Sequence, residues 1–170
     1  YYCEGKKFIS ASWDGTIKIH DDDSNEEKGL HLFEFSHNVP GKTNSCNTVD
    51  FSEELKILAC GYDNGSVTLT NMKSLSSEGT LSEHRKVTIC KFLEDYPALI
   101  VCDQDCDIHF WTIILTKPKK IMKDFQFKNY STNDNNTKES FPIKCFCFEK
   151  KNNILFMGDE TGFVKVFNIT

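Results

Sequence analysis

The sequence predicts an all-β fold made of four repeated units, each a small antiparallel sheet. Three observations support this prediction: apolar and polar residues alternate with a period of two, acidic tight-turn sequences interrupt the alternation, and the same arrangement returns four times. Aligned on Gly15, Gly65, Cys106 and Gly162, neighbouring units lie 50, 41 and 56 residues apart. No segment has a convincing helical period, so a protein built of sheets is expected.

The strand after each tight turn is the clearest element. In the first unit Ile17 and Ile19 alternate with Lys18, which places the two kinds of side chain on opposite faces of a sheet. Asp-Gly and Asn-Gly pairs in the first two turns supply the positive φ angles that tight hairpins need. Each unit therefore contains a predicted hairpin, whose strands we name b and c. The same alternation returns at Val67 and Leu69, at Ile108 and Phe110, and at Val164 and Val166.

Two further strands complete the predicted unit. Runs rich in β-forming residues precede the later hairpins, and we name them strand a; they cover residues 46–51, 87–92 and 143–148. A strand d is predicted after the hairpin at residues 30–35, 80–81 and 121–125. The units then span about 1–35, 46–83, 84–125 and 140–170, and residues 126–140 are predicted to be a polar, Asn-rich loop. The first unit begins near its strand a and the fourth stops at strand c.

Polar residues recur at fixed places in these units. The third unit has a His before strand a, an Asp in the b–c turn and a Trp six residues after that Asp; these are His84, Asp105 and Trp111. The first unit has Asp14 in the turn, and the second has Asn64 there.

This pattern resembles the WD-repeat β-propeller family, and the resemblance covers nearly the whole chain. In that family the Asp, the His, the Trp and a Ser or Thr on strand b form a buried hydrogen-bond network. Ser10 matches the strand-b position in the first unit, whereas Val101 occupies it in the third, and His20 stands at the Trp place of the first unit. The resemblance therefore implies a structural network that is only partly kept in each unit.

The resemblance implies about three and a half blades of four-stranded antiparallel sheet. Propellers of this family usually close with seven blades, so we expect the chain to be part of a larger propeller of seven blades or more. An open arc would expose an apolar blade face and unpaired strand edges. The rest of the ring is expected from the same longer chain or from a second copy.

Composition and charge argue against several classes of protein. With 20 basic and 25 acidic residues the formal net charge is −5, and Arg85 is the only arginine. Nucleic-acid modules have a basic face and favour Arg, so nucleic acid is not an expected partner. No run of 18 apolar residues and no apolar N-terminal stretch occurs, so we expect neither a membrane span nor secretion. The eight Cys are then expected to be reduced thiols of a cytoplasmic protein.

Candidate metal and catalytic patterns are incomplete. Residues 21–25 and 103–107 carry acidic or amide side chains at alternate positions, as a calcium loop does, but they lack its Gly at position six and its Glu at position twelve. Cys102, Cys106 and His109 are close in sequence, yet Cys on strands usually behaves as a small buried hydrophobe. No nucleophile elbow and no phosphate-binding Gly loop is present. We predict no metal, no cofactor and no catalytic activity.

The function that follows is a non-catalytic scaffold whose rims bind other proteins. The alternative is a substrate-recognition or regulatory module attached to an enzyme or ligase complex encoded outside these residues. Two c–d loops would present opposite charges at one rim. The predicted protein-binding residues are Asp21, Asp22 and Asp23 on the acidic loop and Lys117, Lys119 and Lys120 on the basic loop.

Two strings carry a narrower resemblance. Residues 157–167 and 84–92 are similar to repeats of large ciliary WD-repeat proteins, some of which also carry EF-hands. In that group long propellers decorate axonemal microtubules and dock neighbouring complexes. The resemblance implies a location in the cilium or flagellum and microtubule-associated partners.

Overall fold

The computed structural model of the chain describes residues 2–3, 7–21, 30–36, 44–82, 84–93, 95–116, 120–132 and 137–169. Within these ranges the all-β prediction is confirmed, because every regular element is a strand. None of these residues forms a helix that could span a membrane. The strands form three four-stranded sheets, one three-stranded sheet and one small hairpin.

The first two sheets coincide with the first two predicted units. Sheet one pairs, in this order, β1 (Tyr2–Cys3), β2 (Lys7–Ala11), β3 (Thr16–Asp21) and β4 (Leu30–Ser36). Sheet two pairs, in this order, β5 (Cys46–Ser52), β6 (Ile57–Tyr62), β7 (Val67–Asn71) and β8 (Ser76–Leu81). Strand β8 starts ahead of the predicted strand d at 80–81, because pairing with β7 holds a Ser-rich segment that has little β propensity of its own.

The remaining strands follow the same antiparallel plan. Sheet three pairs, in reverse chain order from its outer edge, β12, β11, β10 and β9, whose bounds are β9 (Val87–Leu93), β10 (Ala98–Asp103), β11 (Asp107–Ile114) and β12 (Lys120–Lys128). A hairpin of β13 (Tyr130–Thr132) and β14 (Lys138–Ser140) comes next. The last sheet has three strands, β15 (Ile143–Glu149), β16 (Ile154–Asp159) and β17 (Val164–Asn168).

The segment 126–140 departs from the prediction of a polar loop. Strand β12 continues to Lys128, and β13 pairs with β14 through Tyr130 and Ser140. The polar composition did not predict these strands. Their backbone groups pair with each other, but their side chains pack into no core and so leave no apolar pattern in the sequence.

Three apolar cores lie between neighbouring sheets, which we call blades 1 to 4. Each blade turns one face toward the preceding blade, its leading face, and the other toward the following blade, its trailing face. In blade 2, Leu58 and Cys60 pack on blade 1, whereas Ala59, Val67 and Leu69 pack on blade 3. The third core joins blade 3 to blade 4. Each fully buried aliphatic side chain contributes about 1.5–3 kcal/mol, so the stacking of blades dominates the stability of the chain.

The trailing face of blade 4 is apolar, like the trailing face of blade 1, but it is exposed. Relative to the turn residue, Phe156, Val164 and Val166 stand where Ile9, Ile17 and Ile19 stand in blade 1. The three isoleucines are buried against blade 2, but the three blade 4 residues are 36%, 64% and 59% exposed.

The leading face of blade 1 is exposed in the same way. Phe8 is 40% exposed, whereas the matching Leu58, Leu99 and Leu155 of the other blades are fully buried. The four blades therefore form an arc that exposes apolar side chains at both ends, three on the trailing face of blade 4 and Phe8 on the leading face of blade 1.

Candidate functional site

The four b–c turns share one backbone conformation. The turn residue donates its N–H to the carbonyl three residues earlier, at 3.0–3.2 Å in all four turns. Its φ is +79° at Gly15, +83° at Gly65, +68° at Cys106 and +88° at Gly162. Cys106 is the one turn residue with a side chain, and a left-handed conformation costs a residue other than glycine about 1–2 kcal/mol.

Side-chain acceptors hold the first two turns. The Oδ1 atom of Asp14 accepts hydrogen bonds from the N–H and the hydroxyl of Thr16, at 2.8 and 2.6 Å. Asn64 makes the same pair of bonds with Ser66, at 2.9 and 2.6 Å. Because the bonds from Thr16 stabilise the carboxylate, the pKa of Asp14 lies below its ordinary value. Both predicted motif residues therefore shape a turn.

In the other two blades the acceptor comes two residues earlier. Asp103 Oδ1 accepts the N–H groups of Asp105 and Asp107, each at 3.0 Å. Asp159 takes the equivalent place in blade 4 and accepts the N–H of Thr161 at 3.0 Å. The same turn conformation is therefore stabilised by a side-chain acceptor that stands at one sequence position in blades 1 and 2 and at another in blades 3 and 4.

The sequence prediction put the network acid of blade 3 at Asp105, and the structure corrects that assignment. The carboxylate of Asp105 is half-exposed and lies 3.5 Å from Nε of Arg85. Asp103 is the buried acid, because alternation along β10 puts it on the same leading face as Leu99 and Val101. Asp105 already belongs to the turn, where its side chain reaches solvent.

His84 and Trp111 do meet, at the junction of blades 2 and 3. Trp111 Nε1–H donates to His84 Nε2 at 3.1 Å, and His84 Nδ1 lies 3.1 Å from the carbonyl oxygen of Gly65. An indole N–H can only donate, so Nε2 of His84 is an acceptor and Nδ1 carries the proton. His84 is therefore a neutral imidazole that bridges the Trp of its own blade to the turn of the preceding one.

A second buried imidazole lies against the first. His109 and His84 pack edge to face with ring centroids 4.6 Å apart, and His109 Nε2 lies 3.3 Å from Asp103 Oδ2. Burial raises the pKa of Asp103, but hydrogen bonds from His109 and from backbone N–H groups outweigh it, so the net pKa is below its ordinary value. His109 Nδ1 is buried without a hydrogen-bond partner. The sequence pattern alone did not indicate that His109 belongs to this cluster, although its alternation with Trp111 places it on the same face.

The environment of His84 disfavours its protonation. Burial, followed by the neighbouring His109, lowers the pKa of His84 to about 4. A proton on Nε2 would also face the indole N–H of Trp111 and break that bond. The cluster therefore stabilises the neutral form of His84, and its role is to join neighbouring blades.

The first blade keeps a reduced version of this arrangement. Ser10 and His20 are joined by a 3.0 Å contact between Oγ and Nε2, and the ring of His20 stacks on Phe8 at 4.5 Å. Ser10 therefore contacts the residue that stands at the Trp place, but in blade 1 this contact is exposed.

The predicted binding loops lie largely outside the described residues. Asp21 is the last residue of β3. Lys120 is the first residue of β12, and its side chain is exposed. Both positions are at the c–d side of their blades, so the structure places these two residues on one rim. Asp22, Asp23, Lys117 and Lys119 lie outside the described residues.

The opposite rim exposes aromatic side chains that are not among the binding residues predicted from the sequence. Trp13, in the b–c turn of blade 1, is 79% exposed, and Phe163 follows the corresponding turn of blade 4 and is also exposed. Tyr130 is exposed on the hairpin, whose base is at this rim because Asn129 N–H donates to the carbonyl of Cys106. The available signal was an aromatic residue directly beside an acidic turn, a place that contributes to no core.

Side chains fix the base of the hairpin between blades 3 and 4. Asn129 is buried and donates from Nδ2 to the carbonyl of Phe141 at 2.6 Å. The ammonium group of Lys165, on β17, donates to Asn129 Oδ1 and to the carbonyl of Tyr130. The hairpin therefore rises from a held base at the b–c rim.

The described residues bring no three His, Cys, Asp or Glu side chains together as metal ligands. Every cysteine with a described side chain is a free thiol. Burial raises the pKa of the thiols of Cys102 and Cys106, which suits apolar packing better than reactivity. Cys145 and Cys147 are the exposed thiols in this part of the chain.

Comparison with known proteins agrees with this geometry. Residues 2–21 match the family described as WD domain, G-beta repeat. The chain is similar in structure to Sqt1 of Saccharomyces cerevisiae, with a TM-score of 0.71 at 12% sequence identity. The match covers 96% of this chain and 41% of that chain. No curated protein matches the chain by sequence. At this identity the similarity shows the fold, which is that of a WD-repeat β-propeller, and the chain spans less than half the length of Sqt1.

Proposed function

We propose that the chain is a non-catalytic scaffold, part of a WD-repeat propeller whose rim binds other proteins. Rigid stacking of the blades supports this role. Besides the apolar cores, side chains of β5 bond directly to the backbone of β9: Asp50 accepts the N–H of Phe92 at 2.7 Å, and Thr48 Oγ1 accepts that of Cys90 at 3.2 Å. A surface held in this way loses little conformational entropy on binding.

The observation that carries the proposal is the exposure of Trp13. An indole that is 79% exposed on a short turn contributes nothing to a core, and Trp is strongly enriched among the residues that dominate protein interfaces. Its turn is held in place, because Ser45 Oγ donates to the carbonyl of Trp13 at 2.8 Å. Phe163 and Tyr130 extend the same rim. We therefore place the main binding surface at the b–c rim, and the charged c–d rim predicted from sequence remains a second candidate surface.

A comparison of the two rims tests this proposal. The chain is used as bait, and captured proteins are quantified for Trp13→Ala on the b–c rim and for Lys120→Glu on the c–d rim. We expect Trp13→Ala to remove a defined set of partners while the urea midpoint stays unchanged, since the indole is exposed. Partners lost only with Lys120→Glu would move the surface to the c–d rim. Identical partner sets for both variants and the unaltered chain would contradict binding at either rim.

We also propose that further blades, from the same longer chain or from a second copy, cover the two exposed ends of the arc. The support is the match between exposed Phe156, Val164 and Val166 and the buried isoleucines of blade 1. Val166→Glu should then reduce self-association of the 170-residue chain in analytical ultracentrifugation, whereas Phe110→Glu, at the buried matching position of blade 3, should unfold it. Self-association that is insensitive to Val166→Glu would contradict a role of this face in blade stacking.

A ciliary or flagellar location, within the cytoplasmic compartment, is the finer form of the proposal. Its support is the resemblance of residues 84–92 and 157–167 to repeats of ciliary WD-repeat proteins. Fluorescent tagging of the protein in its own cells tests the location, and a signal confined to the cell body would contradict it.

A further inference from the structure

A cleft on the inner side of the arc carries a second binding hypothesis. Its volume is about 560 Å³, which lies within the range of sites that hold small ligands or several peptide side chains. It lies where the first strands of blades 2, 3 and 4 end, namely β5, β9 and β15. The cleft lies at the end of the blades that carries the c–d loops, on their inner side, and is opposite the b–c rim that exposes Trp13.

The walls of the cleft are aromatic. Phe51 and Phe92 hold matching places on β5 and β9, and Phe146 and Phe148 add two half-buried rings from β15. Phe148 is fixed by an edge-to-face contact with Tyr96, with ring centroids 5.8 Å apart. Aromatic rings in such a cleft can pack on the aliphatic stem of a lysine and attract its ammonium group.

The charged groups of the cleft are predominantly acidic. Asp50, Glu53, Glu54 and Asp95 line it together with the basic residue Lys91. Glu53 and Asp95 are ion-paired with Lys56 and Lys150, so Asp50 and Glu54 are the acids left to meet a ligand. Asp50 is buried and is held by the N–H of Phe92, so a carboxylate is fixed at the cleft wall. Glu54 is exposed and makes no ion pair with any described residue. A fixed acid, an exposed acid and aromatic walls together complement a cation that carries apolar groups.

We propose that this inner cleft binds a basic segment of a partner protein in which lysine or arginine alternates with aliphatic residues. The proposal deepens the scaffold role and therefore rests on it, but it uses a different surface. Loss of binding at the cleft would leave capture through Trp13 intact, so the two proposals can fail separately.

A labelled peptide provides the direct test. Binding of a fluorescein-labelled hexapeptide of alternating lysine and leucine is followed by fluorescence anisotropy, with a lysine–glycine peptide of equal charge beside it. We expect the leucine peptide to bind more tightly, because it uses the phenylalanine walls. Glu54→Lys should weaken binding about fivefold, and Lys91→Gln should strengthen it about twofold, as expected for single charges at a partly exposed site.

A matched control separates the cleft from the overall charge of the chain. Glu139→Lys makes the same charge change as Glu54→Lys but on the exposed hairpin strand β14. It should leave the affinity unchanged. Equal weakening by both variants would show that the peptide responds only to net charge, and would overturn the proposal, as would the absence of any binding.

Two cysteines allow the position of the peptide to be read in the unaltered chain. Cys147 lines the cleft, whereas Cys145, two residues away on the same strand, is exposed outside it. The bound peptide should slow alkylation of Cys147 by iodoacetamide and leave Cys145 reactive, as measured by mass spectrometry of proteolytic fragments. Equal protection of both thiols would place the peptide on the trailing face of blade 4 and would refute binding in the cleft.

Discussion

Gly65 provides the sharpest test of how neighbouring blades are joined. A Cβ atom added there would lie 2.1 Å from the carbonyl oxygen of His84, in the following blade, and 2.9 Å from that of Arg85. The φ of +83° adds strain of its own. Gly162 offers the matched comparison, because its φ is +88° but a Cβ there would meet nothing within 4 Å.

The expected cost of Gly65→Ala has two parts. Left-handed strain contributes about 1–2 kcal/mol at either glycine. At Gly65 the carbonyl of His84 must also move by roughly 1 Å to reach a normal van der Waals distance, which is enough to break the bond between His84 Nδ1 and the carbonyl of Gly65. Leaving that buried donor unsatisfied costs about 1–3 kcal/mol more. We therefore expect a loss of about 2–5 kcal/mol for Gly65→Ala and about 1–2 kcal/mol for Gly162→Ala.

Urea unfolding measures the difference. Trp111 is buried at the same junction and reports unfolding by fluorescence, once Trp13→Phe has removed the exposed indole. Asn separates the two contributions, because it tolerates the left-handed conformation but still carries a Cβ. Gly162→Asn should be nearly neutral and Gly65→Asn should remain strongly destabilising. Losses of equal size at the two glycines would refute the claim that the turn of blade 2 and His84 are in close contact.

Three further predictions concern the same junction and its turn. Burial lowers the pKa of His84 from the ordinary 6.5 to about 4, so neutral His84 contributes its full stabilisation of the folded state above pH 6.5 and loses up to about 3 kcal/mol of it as the pH falls toward 4. Urea midpoints at pH 7 and pH 5 measure this loss. A His84→Gln variant with the same dependence of stability on pH would contradict the prediction. Asp103→Asn should lower the free energy of unfolding by about 2–3 kcal/mol and Asp105→Asn by less than about 1 kcal/mol, and the reverse order in urea titrations would return the acid role to Asp105. Cys106→Gly should be more stable than Cys106→Ala by about 1 kcal/mol in the same assay, because only glycine relieves the left-handed strain; equal stability would show that the turn carries none.

The fold was predictable from local pattern because each blade is a local structure. Period-two alternation at Ile17 and Ile19 fixes both the strand and the two faces that its side chains occupy, and antiparallel pairing then needs only a short turn. Strand β8 was predicted too short, and the hairpin of β13 and β14 was missed, because these segments lack a clear alternation of apolar and polar residues. Their residues are polar, and only pairing with neighbouring backbone identifies them as strands.

The network of blade 3 shows where a motif position misleads. The spacing from Trp111 selects Asp105. It correctly locates Asp105 in the b–c turn, but it does not identify the buried acid of the network. Burial, however, depends on which face of β10 a residue occupies, and this favours Asp103. His109 was overlooked because a histidine on a strand gives no sign of its partner until β10 and β11 are paired.

The strands, the turns and the repeat of blades follow from the local sequence pattern, because these depend on residues close together along the chain. Which side chains meet between blades, and which remain exposed, depends on how the blades stack. Ile17 and Val164 have the same place in the pattern, yet one is buried by the next blade and the other lies in solvent. The inner cleft likewise exists only because three separate blades bring their first strands together, since contacts between blades depend on stacking that no local pattern encodes.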